Sequence, residues 1–147
     1  MPPKNLLLDH LPSDVLSRLE PDLETVYMQQ DEVIHQPGED IVFLYFPLDC
    51  MISITVSVLD GRTIETGAVG NREVAGINAF MGGRETTQTK YVVQLPGNAM
   101  RIPALPLKKE FDNNRSMRAV MLKYTQALIA QISQNVACNR LHDLDER

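Results

Sequence analysis

Val33-Ile34-His35-Gln36-Pro37-Gly38-Glu39-Asp40 runs a β-branched segment into a Pro-Gly turn, and two further turns answer it downstream, Asp60-Gly61-Arg62 and Val69-Gly70-Asn71. Proline presets φ and glycine admits positive φ, so such pairs reverse the chain sharply. Strand candidates surround them at residues 23–28, 32–35, 41–46 and 51–58. In the last of these, Ile52, Ile54, Val56 and Val58 alternate with Ser53, Thr55 and Ser57, the period-two pattern of a half-buried strand. Asp60-Gly61 folds that strand back onto residues 62–67 as a hairpin. Residues 91–95, a Pro96-Gly97 turn and residues 99–102 resume the rhythm. Short strands joined by tight turns predict a β-structure closed on itself.

Helices frame this body. Residues 5–11 read as a short helix stopped at Pro12, and a second begins at Ser13-Asp14, carries Val15, Leu16 and Leu19, and breaks at Pro21. Residues 105–111 form a short amphipathic helix. From Arg115 to about Leu144 there is neither proline nor glycine, which predicts one helix of roughly 40 Å. Met117, Met121, Tyr124, Leu128 and Ile132 form its apolar stripe, with Leu122, Ile129 and Val136 beside it. Such a stripe exceeds what a small β-domain covers, so it is assigned to a homodimer interface; packing on its own domain is the alternative. Gln131, Gln134, Asn135 and Asn139 lie on or near that face, where they would fix a register or meet a ligand.

Bulk properties narrow the function. The chain has 147 residues, 44% hydrophobic and 22% charged, enough for one globular domain without metal or disulfide staples. A net charge of -5 and a pI near 5.1 argue against a standing surface for duplex phosphate. Cys50 and Cys138 show no C-x-x-C spacing and read as reduced cytosolic thiols. No secretory signal and no apolar run of about 20 residues is present, so no membrane span and a cytoplasmic location are expected. His10, His35 and His142 are scattered, His35 reading as a surface or strand-end residue, and no metal-ligand spacing occurs. Neither a Ser-His-Asp order nor G-x-S-x-G is found, so no enzyme is expected.

Residues 70–83 differ in kind. They hold four of the eight glycines, Gly70, Gly76, Gly82 and Gly83, and suit a loop with a single helical turn. Backbone amides there would cradle an anion; the other reading is a simple chain reversal. Walker and Rossmann spacings are absent.

Taken as a series, Leu11-Pro12, Arg18-Leu19, Val33 to Glu39, Tyr45-Phe46-Pro47, Met51-Ile52-Ser53, Asp60-Gly61-Arg62, Val69-Gly70-Asn71 and Phe80-Met81-Gly82-Gly83 resemble the sensory half of bacterial transcription regulators of the cAMP-receptor-protein/FNR superfamily. Tyr124 to Leu128 and Ala137 to His142 extend the likeness into the long helix. The resemblance implies a mainly-β domain with flanking helices, a cyclic-nucleotide-binding-like jelly roll (double-stranded β-helix) over residues 1–114. A long dimerisation helix, residues 115–147, completes the same unit. It further implies a homodimer that couples a small effector, with cyclic AMP or cyclic GMP the candidates, to transcription. DNA would be met only through a helix-turn-helix outside these residues.

The family's phosphate cassette runs Gly-Glu-Leu, a short helix, then Arg-Ser-Ala. Glu73-Val74-Ala75 resembles its opening, with Arg72 in place of the glycine, while the Arg and Ser positions fall on Thr87 and Gln88. The nearest cation, Arg84, comes three residues early. Losing a charge-assisted phosphate contact costs about 1.5–3 kcal/mol. Gln134 and Asn135 match positions that meet the base. The implied ligand set is therefore Gly70, Asn71, Glu73, Val74, Ala75, Arg84, Thr86, Thr87, Gln88, Gln134 and Asn135. An oxygen-sensing reading lacks the N-terminal cysteines, and a haem reading lacks a placed ligand. Two alternatives stay open: a protein-interaction or structural domain with a degenerate pocket, and a cupin-type enzyme, which needs a His/Glu set that is missing.

Overall fold

A computed structural model describes residues 2–85 and 88–145, with side chains to position 138. Two short helices, α1 (Leu6–Asp9) and α2 (Ser13–Leu19), precede seven strands: β1 (Glu24–Met28), β2 (Val33–His35), β3 (Phe43–Pro47), β4 (Met51–Ser57), β5 (Thr63–Val69), β6 (Thr89–Leu95) and β7 (Gly97–Pro103). Helices α3 (Ala104–Asn113) and α4 (Arg115–Asp145) follow. All pairings are antiparallel, in sheets of order β1-β7-β3 and β2-β6-β4-β5. This is the expected jelly roll with flanking helices and a long C-terminal helix.

The alternation in β4 does what the pattern requires. Ile52 and Ile54 enter the core, and Ile54 pairs Gly67 of β5 and Tyr91 of β6. A bulge between Ile54 and Thr55 shifts the register against β5, which bends the strand locally. Pro96 alone separates β6 from β7 although the two lie in different sheets. The sharp corner needs Gly97, because a Cβ there would stand 2.9 Å from the backbone of Asp49. Residues 41–42, expected as strand, leave the sheet instead. The Ile41 amide donates to the Gly83 carbonyl (2.7 Å), and the Val42 carbonyl accepts from Ala104 (2.8 Å).

The core runs from the N-terminal helices through the roll to α4, with Val15, Leu44, Phe46, Ile52, Val93, Ile102, Leu107, Met117 and Met121 fully enclosed. Cys50 and Cys138 are free thiols, Cys50 buried and its pKa pushed up to about 11 by burial, which keeps it protonated and unreactive at neutral pH.

Asn5 locks the N-terminus down. Its Oδ1 accepts from the Leu8 amide (2.9 Å), capping α1, while its Nδ2 donates to the carbonyls of Pro47 and Glu73, both at 2.9 Å. An Asn5→Ala chain loses a cap and leaves two carbonyls short of a donor. Urea unfolding is expected to show a loss of about 2–4 kcal/mol; a loss under 0.5 kcal/mol would show that α1 docks without it.

Candidate functional site

Residues 70–75 are held from four directions. Tyr45 and Ala75 exchange backbone hydrogen bonds (Tyr45 amide to Ala75 carbonyl 3.1 Å, the reverse 2.9 Å). The Leu6 amide donates to the Asn71 carbonyl at 2.7 Å, and Asn5 reaches the Glu73 carbonyl. The Tyr124 hydroxyl on α4 donates to the Val74 carbonyl at 2.9 Å. The Glu73 carboxylate turns back to accept from the Gly70 amide (3.2 Å), and burial raises its pKa against that bond's opposing pull. Gly70, Asn71, Glu73, Val74 and Ala75 thus sit at a junction that joins α1, β3 and α4.

Beyond Ala75 the chain makes the expected single helical turn, a 3-10 helix over Ile77–Phe80. Gly76 enters it at φ +114°, a conformation that side chains rarely adopt, and a Cβ there would stand 3.1 Å from the His35 ring and from Leu44. His35 is at the end of β2, as expected, yet buried rather than at the surface. The correction follows from its neighbours: Tyr45 and Tyr91 flank the ring with centroids at 5.8 and 5.2 Å. Its Nε2 meets the Phe43 carbonyl at 3.0 Å and so carries the proton, leaving Nδ1 buried without a hydrogen-bond partner. Burial lowers the His35 pKa, the Phe43 bond opposing it, and the ring is neutral near pH 7. Below the turn, Glu85 is buried and its carboxylate accepts from Asn78 (2.9 Å). Burial, with Glu85 a lesser cause, pushes the Tyr91 phenol up.

The remaining ligand residues scatter. Arg84 does not face the loop interior: its guanidinium pairs with Asp40 at 3.0 Å, both side chains exposed. Asn135 donates to the Thr66 carbonyl at the edge of β5 (3.1 Å), and Gln134 is exposed, its amide against Cys138. Gln88 is exposed. Thr86 and Thr87 lie outside the described residues. A small polar notch of about 280 Å³, lined by Glu65, Gly67, Ala68, Gln131, Asn135 and Cys138, separates α4 from β5. Among the described residues no His/Cys/Asp/Glu group could hold a metal.

The dimer stripe needs correcting. Met117, Met121, Tyr124 and Leu128 are buried in their own protomer, and Ile132 lies within reach of Gly67. That face is taken up because α3, β5 and the loop at Val74 all offer surface to α4. The face left open carries Leu122, Ile129 and Val136, exposed by 53%, 59% and 53% and spaced by seven residues. Asn5, His35 and Glu85 were not singled out as site residues; an asparagine before a leucine run is the cap signal that marks the first, whereas a lone buried His or Glu has none.

No protein-family model and no curated protein matches the chain. Solved structures do. A regulator assigned to the Crp/Fnr family from Eubacterium rectale is similar with a TM-score of 0.69 and 16% identity, over 89% of this chain and 59% of that one. The sensor domain of the transcriptional regulator DNR from Pseudomonas aeruginosa is similar at 0.62 and 15%, over 97% and 87%. The c-di-GMP responsive global regulator CLP of Xanthomonas campestris is similar at 0.61 and 18%, over 86% and 60%. The chain therefore spans about 60% of the longer regulators and nearly all of an isolated sensor domain. The shared fold is that of Crp/Fnr sensory and cyclic-nucleotide-binding domains.

Two outcomes test the site's mechanics. Tyr124→Phe leaves the Val74 carbonyl without its donor, so stability should fall by about 1–3 kcal/mol and amide exchange over residues 74–80 should quicken; unchanged exchange would uncouple helix from loop. Because the folded His35 pKa lies below its unfolded value of 6.5, the unfolded chain binds more protons and stability falls as pH drops below about 6.5. The urea midpoint should decline from pH 7.5 to 5.5, and less steeply in His35→Gln.

Proposed function

We propose that this chain is the effector-responsive, dimer-forming part of a cytoplasmic Crp/Fnr-type transcription regulator and performs no catalysis. One observation carries the reading. On α4, Tyr124 grips the effector loop through the Val74 carbonyl, while Leu122, Ile129 and Val136 on the opposite side stay open to a second copy. Seven-residue spacing of aliphatic side chains is what a two-stranded helical seam presents. A loop displacement at residues 70–85 would reach that seam through one rigid element, and DNA would be met by a helix-turn-helix outside these residues. The effector acts by shifting a population, so it must bind one arrangement of the loop more tightly than the other.

Cyclic AMP and cyclic GMP are the first effectors to try. Among the described residues the Arg84 side chain is engaged in an exposed ion pair with Asp40, worth about 0–1 kcal/mol. A charge-assisted phosphate contact worth about 1.5–3 kcal/mol exceeds that, so the loop can turn Arg84 inward for a cyclic phosphate. The degenerate-pocket alternative draws on the outward position of Arg84 in this structure.

Light scattering of the native chain should give a dimer mass, and Ile129→Asp should give a monomer that keeps its fold, since the side chain is exposed. A native monomer would end the dimer reading. Either cyclic nucleotide should raise the melting temperature, with Arg84→Ala removing most of the shift. Silence from both nucleotides favours the degenerate pocket.

A further inference from the structure

From one groove on the outer side of the loop, we infer that this protein carries a binding site for an aliphatic chain bearing an anionic head, such as a medium-chain carboxylate. The groove encloses about 580 Å³ between residues 79–83, residues 41–42 and the start of α3, a volume within the usual range for small-molecule sites. Its walls are fixed in advance. The Ile41 amide to the Gly83 carbonyl (2.7 Å) ties one pair of segments, and the Ala104 amide to the Val42 carbonyl (2.8 Å) ties the other. The Phe80 ring stacks on Phe111 with centroids 4.5 Å apart, joining the loop to α3.

What the groove displays is unusual for a surface. Val42, Met81 and Leu105 line it while exposed by 61%, 64% and 80%. Single exposed aliphatics need no explanation, but several converging on one concavity mark a contact site. Lys108 is the one charged residue on the described lining. It pairs with Asp112 one turn on (2.9 Å), both side chains about half exposed, so a ligand carboxylate would replace a weak surface partner. Apolar walls with a single cation match an aliphatic acid. They do not match a polyphosphate or a nucleoside, which would need several donors.

The groove shares no lining residue with the Glu73 and Asn135 positions and is separate from them. Its regulatory meaning rests on the proposed reading of that loop as the responsive element; occupancy itself does not. A chain seated between Met81 and Leu105 would brace the loop against α3 in the position seen here.

Calorimetry of the 147-residue chain with hexanoate, octanoate and decanoate below their micellar range tests the site. Each two-carbon step should tighten binding by up to about fifteenfold, the worth of two buried methylenes. Decanoate should bind at least several-fold better than decanol, and Lys108→Gln should remove that preference. Met81→Asp and Leu105→Asp, both at exposed positions, should abolish binding with circular dichroism and dimer mass unchanged. A dissociation constant that varies less than twofold along the series, or binding that survives both aspartates, overturns the proposal. So does a Leu105→Asp chain of altered mass, which would give the groove to a second copy. Decanoate binding by a chain that neither dimerises nor answers cyclic nucleotides would instead retire the reading above while leaving the groove in place.

Discussion

The backbone pairing of Tyr45 with Ala75 holds the rest in place. Two hydrogen bonds at 2.9 and 3.1 Å anchor residues 70–75 to the middle of the β-roll, and the other three ties depend on where that anchor puts the Asn71, Glu73 and Val74 carbonyls. Without it, Asn5 would keep its bond to Pro47 but lose the Glu73 carbonyl, and Tyr124 would be left with a buried hydroxyl. Buried polar groups in such a junction are costly when unpaired, so the four contacts stand or fall together. Displacing residues 70–75 would require these contacts to exchange partners.

The long helix follows from the same junction. At 31 residues and about 1.5 Å per residue it extends some 46 Å. Its inner face is committed: Met117 and Met121 fill the core, Tyr124 holds the loop and Asn135 covers the free edge of β5 at Thr66. Covering that edge matters, since an unpaired strand edge invites other chains. The outer aliphatics at 122, 129 and 136 stay exposed. One helix therefore carries a committed inner face and an open aliphatic face, a fraction of a turn apart.

Charge of the two signs is separated across the loop. Described carboxylates at positions 73 and 85 are turned inward while Arg84 points out. The apolar groove between residues 79–83 and α3 belongs to the other side of the same loop, coupled to α3 by stacked Phe80 and Phe111.

Strand alternation, the turn pairs and the long uninterrupted helix were readable in the residues themselves, because they reflect local periodicity and φ preferences that each short segment carries. The closed β-structure and the single helical turn near residue 77 came with them, while the jelly-roll topology is expected from the family resemblance and not from periodicity. The chain alone did not determine which aliphatic stripe of the last helix faces inward. Met117, Met121 and Leu128 are as apolar as Leu122 and Ile129, and only the shape of the wall formed by α3, β5 and the loop selects between neighbouring stripes. The same holds for His35 and Arg84. Whether a histidine is enclosed by two tyrosines, or an arginine finds an aspartate 44 positions away, depends on strands brought together from distant parts of the chain, and no local pattern encodes that.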